Sequence, residues 1–146
     1  MPMITKVSSI SDLVGKMVVS VCKNRVDEIG ALDTLLEFAD NDVLTFVCAD
    51  GSKYYMRHRQ DGGEAVYLDD SCGDLEWLIE TLILSAEGSA SNDNPKSITD
   101  ESATWTFYRI TTVKGTIVLR WYGSSNGYYS EAVSFDEVIN DINTTV

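Results

Sequence analysis

The sequence predicts an α+β fold, mostly antiparallel β with short helices, in which two tandem structural repeats form one compact domain. Three observations carry that prediction. Runs of β-branched and aromatic residues are bounded by turn dipeptides, Ser-x-x-acid signals precede short apolar stretches, and several segments recur in the same order roughly sixty residues apart. A chain of 146 residues is sized for a single domain, 1–146. Folding at that length removes about 68–70% of the unfolded chain's surface from water, so neither a metal nor a disulfide is required as a staple.

In chain order, Ser9-Ile10-Ser11-Asp12 reads as a capping box that opens a short helical turn, and Gly15 ends it. Residues 16–22 form a strand, 34–39 a strand-like segment, and 43–49 a further strand, with Asn41-Asp42 and Asp50-Gly51 as hairpin turns. The chain returns through 53–59 and, after Gly62-Gly63, through 64–70. Ser71-x-x-Asp74 repeats the cap signal, and 75–80 has helix-like apolar spacing. Residues 87–103, rich in Ser, Asn and Asp, read as a surface loop. Residues 105–110 and 116–122 pair as a hairpin about Lys114-Gly115, a polar loop and a third strand complete the stretch to Glu137, and Ser134-x-x-Glu137 opens a terminal helix over 138–142.

The recurrences define two units, approximately 9–70 and 71–137. Leu44-Thr45-Phe46 overlays Trp105-Thr106-Phe107 at an offset of 61, and Met56-Arg57-His58 overlays Leu119-Arg120-Trp121 at 63. Glu64 to Asp70 overlays Glu131 to Glu137 at 67. Alternation turns Tyr54, Met56 and His58 to one face and, equivalently, Ile117, Leu119 and Trp121.

Charge is the strongest compositional signal: 23 acids against 11 bases give a net of −12. Residues 61–101 hold eleven acids and a single base, Lys96. Such a field repels nucleic-acid phosphates and favours basic protein partners. No apolar run approaches the ~20 residues of a membrane-spanning helix, and nothing reads as an export signal. Cys22, Cys48 and Cys72 form no CxxC pair, and His58 is the sole histidine, so no metal site, cofactor or catalytic residue is expected. His58 is expected in the core, and the protein is expected not to be an enzyme.

Two groups of side chains are candidates for binding. Arg57 and Arg120 occupy equivalent strand positions with Tyr55 and Tyr122 beside them. They suit either a planar anion such as a nucleotide or cross-strand ion pairs with Glu64 and Glu131. The loop after Trp121, carrying Asn126, Tyr128 and Tyr129, has the aromatics and turn glycines of a recognition surface, although the same tyrosines also suit covering the edge of the core.

At WTFYRITTVKGTIVLRWYGSSNGYYSEAV, with YLDDSCGDLEWLI and ILSAEG before it, the chain resembles a family of small uncharacterised proteins encoded by tailed bacteriophages. The resemblance covers most of residues 10–137. It implies a non-structural accessory role in the host bacterial cytoplasm and supplies no catalytic residues. The expected function is binding and inhibition of a bacterial host or defence protein. The alternative is a sponge that sequesters a small nucleotide signal.

Overall fold

Two hairpins set the architecture. Strands β3 (Val43–Cys48) and β4 (Lys53–Arg57) turn about Asp50-Gly51, where Asp50 Oδ1 accepts the Ser52 N–H at 2.9 Å. Strands β7 (Ser102–Thr112) and β8 (Gly115–Ser125) run in unbroken register from Ser102↔Ser125 to Thr112↔Gly115. The computed structural model describes residues 4–23 and 42–140. Its other elements are β1 (Ile4–Val7), a 3-10 turn (Ile10–Leu13), β2 (Val18–Lys23), β5 (Ala65–Cys72), a second 3-10 turn (Leu75–Leu78), β6 (Ser85–Ser91) and β9 (Ser134–Asn140).

All ladders between these strands are antiparallel, and they build two sheets. The first has the order β1-β9-β4-β3-β2 and the second β5-β8-β7-β6. Each hairpin thus receives a strand from the other half of the chain: β5 leaves β4 to pair with β8, and β9 leaves β8 to pair with β4. The sheets share one apolar cluster. The first contributes Leu44, Phe46, Tyr54, Met56 and Phe135, the second Val66, Tyr108, Ile110, Ile117, Leu119 and Trp121. Leu13 and Leu78, one from each 3-10 turn, join the same cluster. Period-2 alternation therefore turns one face of β4 and one face of β8 into this core.

A short crossing ties the sheets together beside the turns. Met17 bridges Leu82, the Gly15 N–H donates to the Ile83 carbonyl at 2.9 Å, and the Glu80 N–H donates to the Val18 carbonyl at 2.8 Å. Gly15 (φ +85°) and Glu80 (φ +58°) both adopt the left-handed conformation at this crossing, each two residues before the bridged Met17 or Leu82. Glycine does so without a steric penalty, whereas Glu80 is held there by its backbone bond.

Several expectations need correction. Among the described residues there is no α-helix: the stretch expected to be helical at 75–80 is a 3-10 turn, after which Ile79 is extended. Bridging to Val18 takes the backbone that a longer helix would use. Its cap is Asp74, whose side chain accepts the Glu76 N–H at 2.9 Å, while Ser71 belongs to β5. The capping box at Ser9 and Asp12 is present, but on a 3-10 turn. The third strand of the 105–137 stretch is β9, and it runs on to Asn140 where a helix was expected, because β4 pairs with Ser134–Glu137 and β1 with Asp136–Asn140. Residues 87–91 of the expected loop belong to β6, paired along β7.

Register also moves one overlay. Leu44 lies opposite Met56, but Tyr108, not Trp105, lies opposite Leu119. Leu44 and Phe46 face the core, whereas Trp105 and Phe107 line a surface hollow on the outer face with Arg120. An odd shift exchanges the two faces of a strand, which is why the offset of 61 fails. The segment 34–39, Asn41 of the Asn41-Asp42 turn and residues 141–142 lie outside the described residues.

Trp121 is fully buried, and its Nε1–H reaches the Met56 sulfur at 3.3 Å, across the two sheets. Trp121→Ala is expected to destabilise the fold by about 3–5 kcal/mol, read as a lowered urea midpoint at unchanged slope.

Candidate functional site

The outer face of the second sheet gathers aromatic and charged side chains in one row. Tyr67 of β5 lies opposite Tyr122 of β8, which lies opposite Trp105 of β7. Their ring centroids are 6.0 Å and 4.5 Å apart, respectively. In the next row the β5–β8 register slips between Leu68 and Asp70, so Asp69 is an extra residue beside Arg120. Such a bulge re-aims a side chain. Arg120 donates to Asp69 Oδ2 through Nε at 3.0 Å and Nη2 at 2.7 Å, and its guanidinium lies 5.2 Å from the Trp105 ring centroid.

Residues 92–101 fold over this row. The Trp105 indole N–H donates to the Asn94 carbonyl at 2.9 Å, the Lys96 N–H to the Tyr122 hydroxyl at 3.0 Å, and that hydroxyl to Asp100 at 2.5 Å. The Lys96 ammonium then enters the row from above. It lies 4.8 Å from the Tyr67 centroid, 5.2 Å from Tyr122 and 5.9 Å from Trp105. It also donates to the Tyr67 hydroxyl at 2.8 Å and to Asp69 Oδ1. Aromatic faces and a carboxylate around one ammonium form a cation cage. Burial pushes the Asp69 carboxyl up, but hydrogen bonds from Lys96 and Arg120 outweigh it and hold the group below its ordinary value.

A second polar centre lies where the chain passes between the sheets. Connection 58–64 leads from β4 to β5, and 126–133 leads back from β8 to β9. His58, 1% exposed, has Nδ1 2.6 Å from the Ala132 carbonyl and Nε2 2.5 Å from Glu64 Oε2. A carbonyl only accepts, so Nδ1 is the donor to Ala132 and Nε2 is the atom that meets Glu64. Glu64 also accepts the Asp61 and Gly62 N–H groups, each at 2.6 Å. Burial raises the Glu64 pKa, and the bonds from His58 and these amides outweigh it, leaving it lowered. Glu131, also buried, accepts the Thr104 hydroxyl at 2.7 Å and the Ser125 hydroxyl at 2.5 Å. The Tyr129 ring lies over Gly62, where a Cβ would come within 2.3 Å of it.

A family model described as a domain of unknown function (DUF7448) matches residues 11–135. The chain belongs to the DUF7448 family. No curated protein and no solved structure matches it.

The DUF7448 fold distributes the expected site residues over three places. Arg120 and Tyr122 join the aromatic row. Asn126, Tyr128 and Tyr129 lie in the connection between β8 and β9, with Tyr128 86% exposed, and Glu64 and Glu131 are buried at that crossing. Tyr55 and Arg57 lie on the outer side of the first sheet, both buried, with the guanidinium 5.4 Å from the Tyr55 centroid. The expected ion pairs with the two glutamates are not those of the fold. Arg120 takes Asp69, Glu64 takes His58, and Glu131 takes two hydroxyls. The reason is direction: both glutamates turn inward at the crossing, while both arginines point outward from their sheets. Tyr67, Asp69, Lys96 and Trp105 complete the site without having been singled out for it. Outward parity on β5 and β7 is the signal for three of them, and Lys96 stands out only as the single base in an acidic stretch. His58 is a core histidine, as expected.

Because the folded pKa of Glu64 is depressed, its contribution is complete above the ordinary value near 4.5 and is lost as pH falls below that through the folded value. Glu64→Gln leaves His58 facing a neutral amide. It is expected to cost about 3 kcal/mol at neutral pH. Urea titrations across pH are expected to show the gap between wild type and variant closing on acidification.

Proposed function

We propose that this DUF7448 protein is a phage-encoded accessory protein that acts in the host bacterial cytoplasm by binding and inhibiting a basic host or defence protein. The observation that carries this reading is the disposition of its few bases. Lys16 is tied to Asp50, Arg59 to Asp136, and Lys96 and Arg120 to Asp69. Among the described residues acids outnumber bases at the surface, with Asp61, Asp70, Asp74, Glu76, Glu80, Glu87, Asp93 and Glu101 all exposed. A surface of one sign speeds encounter with a partner of the opposite sign and selects against nucleic acid.

The framework supporting that surface is, on the same reading, two copies of one unit, 9–70 and 71–137, that exchange their last strands. Each unit runs as a 3-10 turn and four strands. The paired bonds of Gly15 to Ile83 and Glu80 to Val18 relate the copies at a constant offset of 65.

Tagged protein incubated with host lysate at low salt is expected to recover a stoichiometric basic partner that elutes as salt is raised. A lysate that yields no such partner sinks the proposal.

A nucleotide sponge is the second reading, favoured by Arg120 beside Trp105 and Phe107 in an open hollow of about 300 Å³. Arg57 and Tyr55, both buried on the other sheet, do not supply a second open site of the same kind. Thermal shift against cyclic nucleotides and ADP-ribose is expected to raise the melting temperature if this reading holds. An unmoved melting temperature across the panel removes it.

A further inference from the structure

We infer that the cage of Tyr67, Trp105, Tyr122 and Asp69 is a recognition site for a lysine side chain of a partner protein, and that Lys96 is an internal occupant which the partner's lysine displaces. This deepens the protein-binding reading by naming the group the partner presents, and it rests on that reading for the partner's existence. The geometry stands by itself.

Lys96 shows which chemistry the cage accepts. A primary ammonium lies within 6 Å of three ring centroids while donating to a phenol and a carboxylate. Those are the two ways a lysine head group is recognised, by π faces and by oxygen acceptors. Asp69 is 12% exposed and shared between Lys96 and Arg120, so removal of Lys96 leaves a carboxylate still oriented by the guanidinium.

The segment that delivers Lys96 is built to be exchangeable. Lys96 is 39% exposed, and its loop carries no side chain into the core cluster. Asn94 has φ +54° immediately before Pro95, a position where the following ring favours extended backbone. That conformation is offset by bonds to the site itself, from the Trp105 indole to the Asn94 carbonyl and from the Lys96 N–H to Tyr122. Lifting the loop relaxes Asn94 and opens the cage together. A site competent only when its internal occupant is out binds more weakly by the open fraction.

The test uses purified full-length chain, with binding followed by NMR at the Trp105 indole N–H. Probes are an acetylated, amidated Gly-Ser-Lys-Ser-Gly peptide, its norleucine counterpart and tetramethylammonium. Lys96→Ala is expected to keep the fold, by near-UV circular dichroism, and to bind the lysine peptide at least about tenfold more tightly than wild type. Adding Asp69→Asn to that variant is expected to reverse the gain while leaving the Trp105 indole reporter in place. Equal affinity of wild type and Lys96→Ala overturns the proposal, as does equal binding of the norleucine peptide. Tetramethylammonium binding without lysine-peptide binding also overturns it, by assigning the cage to a small quaternary amine. The peptide experiment needs no lysate, so failure of the cage and absence of a host partner are separate results.

Discussion

The exchange of β5 and β9 between the two sheets is the constraint on which the remaining structure depends. It obliges two connections to cross from sheet to sheet at the same end of the molecule, exposed along 61–63 and 126–130 but carrying His58, Glu64 and Glu131 inside. Buried polar side chains must be paired. Glu64 takes the Asp61 and Gly62 amides of its own connection, His58 reaches across to the Ala132 carbonyl of the other, and Glu131 gathers hydroxyls from β7 and β8. A buried ion pair adds little net stability against an apolar replacement, and losing one member costs much more. Losing Glu64 from the crossing is therefore costlier than the net stabilisation of its contacts suggests.

Most of the strands were legible because alternation is a local property. The Trp105 to Tyr122 hairpin, the β3–β4 hairpin and the inward face of Met56 and Leu119 all follow from period-2 patterning and a turn dipeptide. What local pattern does not contain is the partner of a strand. Val138 to Asn140 follows a helix-capping signal, yet continues the strand begun at Ser134 because β1 pairs with it. The same limit explains the misplaced overlay of β3 on β7, where similar residues sit on opposite faces.

The site was half legible. Arg120 and Tyr122 were visible as outward residues on a strand that otherwise feeds the core, and their neighbours Tyr67 and Trp105 share that outward placement. A bulge at Asp69 and the fold of residues 92–101 are not properties of any short pattern. The low-complexity stretch hides its one informative residue, since a lysine among serines and aspartates looks like solvated surface until the sheet beneath it is known.

Strand exchange also bears on synthesis. Both β1 and β4 present an unpaired edge to the solvent until residues 134–140 have been translated, because β9 fills the place between them. The first sheet cannot close before that strand has been made. Until it does, the nascent molecule carries the open backbone templates that mature sheets avoid. Its acid excess then acts as a kinetic shield, keeping like chains apart during the interval in which edge pairing between them is open.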